Sequence, residues 1–205
     1  MNAPGRADAA TLVDGASLVE SRTVDDALAL VAAVPDSDES LERDRILIRH
    51  LIAGRDESAT RTTRPGHLTG SAFVVDSTAT HALLLFHTKL QRWLQPGGHA
   101  DGDMNLVRVA WREATEESGI EGLRIDPAPI DLDIHRVAPP AEDAHLHLDV
   151  RFLVVAPPGA QPVANEESEA MLWVVEADLA NYDLDAGLRR LSAAAFARAR
   201  ALISS

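Results

Sequence analysis

Glu113, Glu116 and Glu117 stand at spacings that can do chemistry. On a helix, at about 100° per residue, they fall within one sector of roughly 100°. They are i, i+3 and i+4 neighbours, so their side chains meet one turn apart. Three like charges there disfavour an isolated helix by about a few tenths of a kcal/mol per pair. A divalent cation offsets that repulsion, and carboxylate oxygens are what Mg²⁺ takes. Mg²⁺ also keeps waters and binds phosphate oxygens, so one site can orient water and neutralise a diphosphate. The other reading is a solvated acidic helix face.

A second constellation is His145, His147, Asp149 and Arg151, which alternate with Leu146, Leu148, Val150 and Phe152. That alternation predicts a strand with one polar and one apolar face. Two histidines at i, i+2 point the same way and could hold zinc, but no third histidine follows at short spacing. The other readings are a face that contacts substrate or braces a cleft, with His147 and Arg151 as substrate contacts, or an exposed polar sheet face. Lys89, Arg92 and Arg136 are candidate phosphate contacts or ordinary surface charges. Trp93 either stacks on a base or joins Leu94 in the core.

These residues need elements to position them. The pattern predicts helices over 24–34 and 38–54, with Pro35 ending the first and Gly54 capping the second. Residues 55–66 read as a linker, and the character changes at His67. Strands are expected at 68–76 and 81–87, joined by the turn 76–80. A Gly-rich loop at 95–103 leads into a helix from 105 to 118, ended by Gly119. Further strands are expected at 130–137, 145–156 and 171–175, with a loop at 157–169 and a last helix from 186 to 203. This order points to a mixed α/β domain.

The chain has 205 residues, 46% of them hydrophobic, which suits one domain with an extension. Cysteine is absent, so disulfides, thiolate metal sites and a cysteine nucleophile are excluded. A net charge of −13 argues against binding nucleic-acid backbone or anionic membranes. No apolar run reaches the ~18 residues of a membrane span. Met1–Arg6 lacks a signal pattern, so a cytoplasmic protein is expected.

The segment 98–120 resembles the Nudix box: Gly, five residues, Glu, seven residues, Arg-Glu, an aliphatic residue, any residue, Glu-Glu, any residue, Gly, aliphatic. Gly98, Arg112, Glu113, Glu116, Glu117, Gly119 and Ile120 match with the spacing intact. Ala114 is small for its aliphatic position. Met104 stands where the family has its first glutamate, and a thioether is no useful Mg²⁺ ligand. Asp103 beside it is shorter and one residue out of register. Trp93-Leu94-Gln95-Pro96-Gly97-Gly98 resembles the family's approach to the box.

The resemblance implies a Nudix fold, a mixed β-sheet sandwiched between helices. Residues 61–205 would form that domain and residues 1–60 a partly helical N-terminal extension. It implies hydrolysis of a pyrophosphate bond in a nucleoside diphosphate linked to another moiety, by metal-activated water. Glu113, Glu116 and Glu117 would hold Mg²⁺ or Mn²⁺ with the Gly97 carbonyl, while Arg112, Gly98 and Gly119 brace them. Glu113 is the expected general base. Glu167 is its rival on the later loop, preferred there over Glu166. His99 would lie near the phosphates with Arg92, or pack the loop. Met104 keeps an alternative open: a weak or inactive Nudix-fold ligand-binding or regulatory protein. The helices at 24–54 would cover the cleft or mediate a homodimer.

Overall fold

The computed structural model describes residues 11–36, 38–139, 142–163 and 168–203. Its centre is β2 (Gly66–Val75), buried along its whole length. β2 runs parallel to β7 (His145–Val155) through ten paired positions, from Gly66↔Leu146 to Val75↔Val155. β6 (Arg124–Val137) lies antiparallel on the far side of β7. β1 (Val13–Asp14) closes that edge. On the other side β2 divides its partners. Thr69, Gly70 and Ser71 pair with β5 (Gly97–His99), and Val75 pairs with β3 (His81–His87). β3 then pairs with β4 (Arg92–Leu94) and β8 (Ser168–Val175). The result is one mixed, eight-stranded sheet.

The two-residue period of β2 sorts its side chains between two cores. Leu68, Ala72 and Val74 join the core beneath α3 (Leu106–Ser118), and Phe73 and Val75 join the core beneath α4 (Ala186–Ile203). α3 sits almost on the sheet backbone. A methyl at Gly70 would lie 3.0 Å from the Leu106 carbonyl oxygen and from Val109 Cγ1. On the other face α4 buries Leu188, Leu191, Ala195, Phe196 and Ala199, and Phe196 meets Phe73 edge-on. Each large side chain buried this way contributes about 1.5–3 kcal/mol.

α1 (Val24–Ala33) and α2 (Glu39–Ile52) start where Thr23 and Asp38 accept the orphan backbone donors of Asp25 and Leu41. Gly54, at φ +70°, follows the end of α2. The apolar sides of both helices find their burial within the chain. Val24, Ala27, Val31, Leu41, Ile48 and Ile52 enter the same core as α3. The N-terminal segment is also tied to the loop before α3, because Met104 N donates to the Ser21 carbonyl at 2.7 Å.

The expected helices and main strands are present, most of them within a few residues, although the strand expected from 130 already begins at Arg124. The loop at 95–103 differs, because it contains β5. The segment at 55–66 differs too. It holds a short 3-10 turn at Asp56–Ala59 with Ser58 and Ala59 buried, and its last residue, Gly66, opens β2. Among the described residues no helix is long and apolar enough to cross a membrane.

Candidate active site

α3 is amphipathic in a way that fixes its acidic ridge. Leu106, Val107, Val109, Ala110 and Ala114 are buried against the sheet. Glu116 is exposed, and Glu113 and Glu117 are half-buried. Asn105 caps the start of the helix by accepting from Arg108 N, and Gly119 ends it at φ +64°, a conformation that favours glycine. The small Ala114 is fully buried on the sheet side, where Gly70 brings the helix close.

β5 comes up beside the first glutamate. A methyl at Gly98 would stand 2.4 Å from Glu113 Oε2, so only a glycine lets the carboxylate lie against this strand. Arg112 closes the arrangement, donating to Glu113 Oε1 at 2.6 Å and to the His99 carbonyl at 2.9 Å. It braces the glutamate and the strand together with its planar fork. Gly97 is pressed against Ser71, whose Oγ would lie 2.3 Å from an added methyl.

Met104 is fully buried in the core. Its neighbour Asp103 carries the polar work of the turn, accepting from Ser21 N at 3.0 Å, Asn105 N at 2.9 Å and Arg108 Nη1 at 2.6 Å. Its carboxylate is committed to holding the loop and the helix start.

The strand face at 145–151 is buried, not exposed. Three strands present polar residues in register: His135, His147 and His67; Asp133, Asp149 and Thr69; Asp131, Arg151 and Ser71. Asp149 accepts from Thr69 Oγ1, from Ser71 Oγ and from Arg151 Nε at 2.8 Å. Arg151 also reaches Asp131 at 3.3 Å and Asp133 at 3.0 Å, and Arg190 of α4 binds Asp131 at 2.7 Å. Burial works against the charged guanidinium of Arg151, but the carboxylates of Asp149, Asp133 and Asp131 more than offset it and hold its pKa above the ordinary value. Arg151 is 4% exposed and fully engaged. Of the readings open for this face, its burial and ion pairs favour a brace over a substrate contact.

His99 and His147 are drawn into a cluster with His67 and His145 rather than onto an open surface. Burial lowers the pKa of His67 to about 4 and of His147 to about 2, assisted by neighbouring imidazoles, and it also lowers that of His99. His67 is the residue that sequence reasoning missed. Its signal was the alternation His67, Thr69, Ser71 against Leu68, Gly70, Ala72, which extends the strand back to Gly66.

Arg92 is exposed on β4 and paired with Asp185 at 3.0 Å, and Lys89 and Arg136 are exposed. Trp93 packs edge-on against Phe86 and Tyr182, so its ring belongs to the core. Glu166 and Glu167 lie outside the described residues.

No family model matches the sequence, and no curated protein matches it. Among solved structures, the E. coli dihydroneopterin triphosphate pyrophosphohydrolase is similar with a TM-score of 0.50 at 17% identity, over 63% of this chain and 92% of that one. A C. elegans Ap4A hydrolase binary complex gives a TM-score of 0.49 at 19% identity, over 62% of this chain and 95% of that one. The M. Smegmatis Nudix hydrolase RenU gives 0.46 at 20% identity, over 67% and 86%. At these identities the likeness is one of fold. The mixed α/β architecture of this chain is that of the E. coli enzyme, and it is the architecture that the Nudix resemblance of residues 98–120 implies.

Proposed function

We propose that the chain hydrolyses a pyrophosphate bond in a nucleoside diphosphate linked to another moiety, using Mg²⁺ or Mn²⁺. The observation that carries this reading is the seat of Glu113, whose carboxylate lies where a β-carbon at Gly98 would be and is held there by Arg112. The donor set fits a hard cation. Glu113, Glu116 and Glu117 offer only oxygen, one helical turn apart on an accessible face, and the Gly97 carbonyl is the proposed fourth donor. Bound there, Mg²⁺ would neutralise charge on the diphosphate.

The chain's own residues do the rest. Glu113 is the proposed base that takes a proton from the attacking water. Its side chain is 16% exposed, so it is reachable yet partly shielded. Arg112 fixes its orientation. Water adds to one phosphorus, and the bridging P–O bond breaks to release the second phosphate group. Arg92, exposed at the end of β4, is the proposed contact for the phosphates; Asp185 must yield it. Glu167 stays the rival base.

Incubation with Mg²⁺ and a panel of nucleotides, nucleotide sugars and dinucleoside polyphosphates, with products identified, tests the reading. Turnover of at least one member is expected, and Glu117→Gln should abolish most of it. Binding without turnover would favour the ligand-binding alternative. No turnover together with no binding would sink both.

A further inference from the structure

β5, β2, β7 and β6 lie side by side, and they carry His99, His67, His147 and His135 to one end of the buried polar face. His147 is the hub. Its ring centroid lies 5.0 Å from that of His67, 5.1 Å from His99, 5.2 Å from His135 and 5.4 Å from His145. The ligand nitrogens of His67, His99 and His147 all lie within 4.8 Å of one another. Both ring nitrogens of His67, and Nε2 of His147, are buried with no hydrogen-bond partner. The Thr63 carbonyl lies near enough to His67 to favour a protonated ring nitrogen, but it does not meet either nitrogen in hydrogen-bond geometry.

Buried polar atoms nearly always have a partner. Three orphaned nitrogens on two adjacent rings therefore need explaining. The neighbouring carboxylates are already engaged, Asp149 by Thr69, Ser71 and Arg151, and Asp133 by His135 and Arg151. A cation with a preference for imidazole would take one of these nitrogens from each ring.

We propose that His67, His99 and His147 form a zinc site separate from the glutamates of α3. Neutral imidazole suits Zn²⁺, whereas Mg²⁺ takes oxygen, so the two donor sets select different ions. Zn–N bonds of about 2.0–2.1 Å place tetrahedral ligand nitrogens about 3.4 Å apart. Rotation of the three rings by about an ångström at their tips closes the site from its present spacing. His145 borders it with Nδ1 donating to the Asp143 carbonyl at 2.7 Å. An ion here fastens β5 to β2 and β7. β5 also supplies Gly98, the seat of Glu113, so the ion is a clasp beneath the glutamate ridge.

The test uses untagged full-length protein, stripped with a chelator and titrated with zinc chloride alone against a chromophoric competitor. One Zn²⁺ per chain is expected. Affinity should fall about 10-fold or more in His99→Ala and in His147→Ala, and stay unchanged in Glu116→Gln. Zinc-edge X-ray absorption of the wild-type complex, which needs no variant to fold, should show imidazole ligation. Absence of binding, a zinc environment of oxygen alone, or affinity lost in Glu116→Gln and kept in His99→Ala would overturn the proposal.

Discussion

The acidic ridge of α3 and the polar floor of the sheet are built from the same kinds of side chain and stand in opposite conditions. On the ridge, Glu116 is exposed and Glu113 and Glu117 are half-buried, carried by successive turns of one helix. On the floor, Asp149 is 0% exposed and Arg151 4%, and their partners come from β2, β6 and α4. Charge left partly in water is available to a ligand at little cost to the fold. Charge taken out of water must be matched by its neighbours, and it then belongs to the architecture. The ridge is thus the proposed region for chemistry, and the floor is the region for stability.

Substitutions can break that division. The largest effect is expected on the floor. Arg151→Met leaves Asp131, Asp133 and Asp149 without their shared cation, which costs about 3–5 kcal/mol. Thermal unfolding should show a midpoint lower by roughly 10 °C. A variant that melts like the wild type would mean that the network is not a structural brace.

Met104→Glu comes next, and it sharpens the boundary between the regions. The change restores the box pattern, yet Met104 is fully buried. A carboxylate there should cost about 3 kcal/mol and leave the rate no higher. A faster enzyme of unchanged stability would show instead that position 104 faces the metal.

The smallest effect is expected in the turn between β2 and β3, a region of neither kind. Burial alone would raise the Asp76 pKa, but hydrogen bonds from Thr78 and from the backbone of His81 and Thr80 hold it at about 2. A folded-state pKa below the ordinary 3.8 gives stability that is complete above that value and lost as pH falls through about 2. With its side chain 25% exposed, Asp76→Asn should cost about 1–2 kcal/mol at neutral pH. Denaturant titrations toward pH ~3 should show the gap to wild type narrowing, and a gap that stays constant would contradict this.

The ridge was legible because its evidence is local. Glu113, Glu116 and Glu117 lie within two turns, Asn105 and Gly119 mark the ends, and the glycine at 98 keeps its spacing to Arg112. The main strands and helices could be read for the same reason. β5 could not, because three residues of Gly-Gly-His have no strand periodicity, and only their pairing with Thr69, Gly70 and Ser71 makes them a strand. The floor was hidden by the same non-locality. His145 and His147 were visible as a pair, but His67 is brought beside His147 by the parallel register of β2 on β7, from 80 residues away. Arg151 carried no sign that three aspartates and a helix would enclose it. Met104 was visible as a departure from the pattern, while its burial and the load carried by Asp103 depend on Ser21, outside the box.

The most direct test of the ridge as the seat of hydrolysis is to measure turnover and thermal stability of Glu116→Gln on one preparation, with a substrate drawn from the panel and Mg²⁺ in excess. Turnover should fall by about 100-fold or more, equivalent to about 2.7 kcal/mol, with unfolding unchanged because the side chain is exposed. Turnover equal to wild type, or a loss that appears only together with a lowered unfolding midpoint, would contradict the assignment.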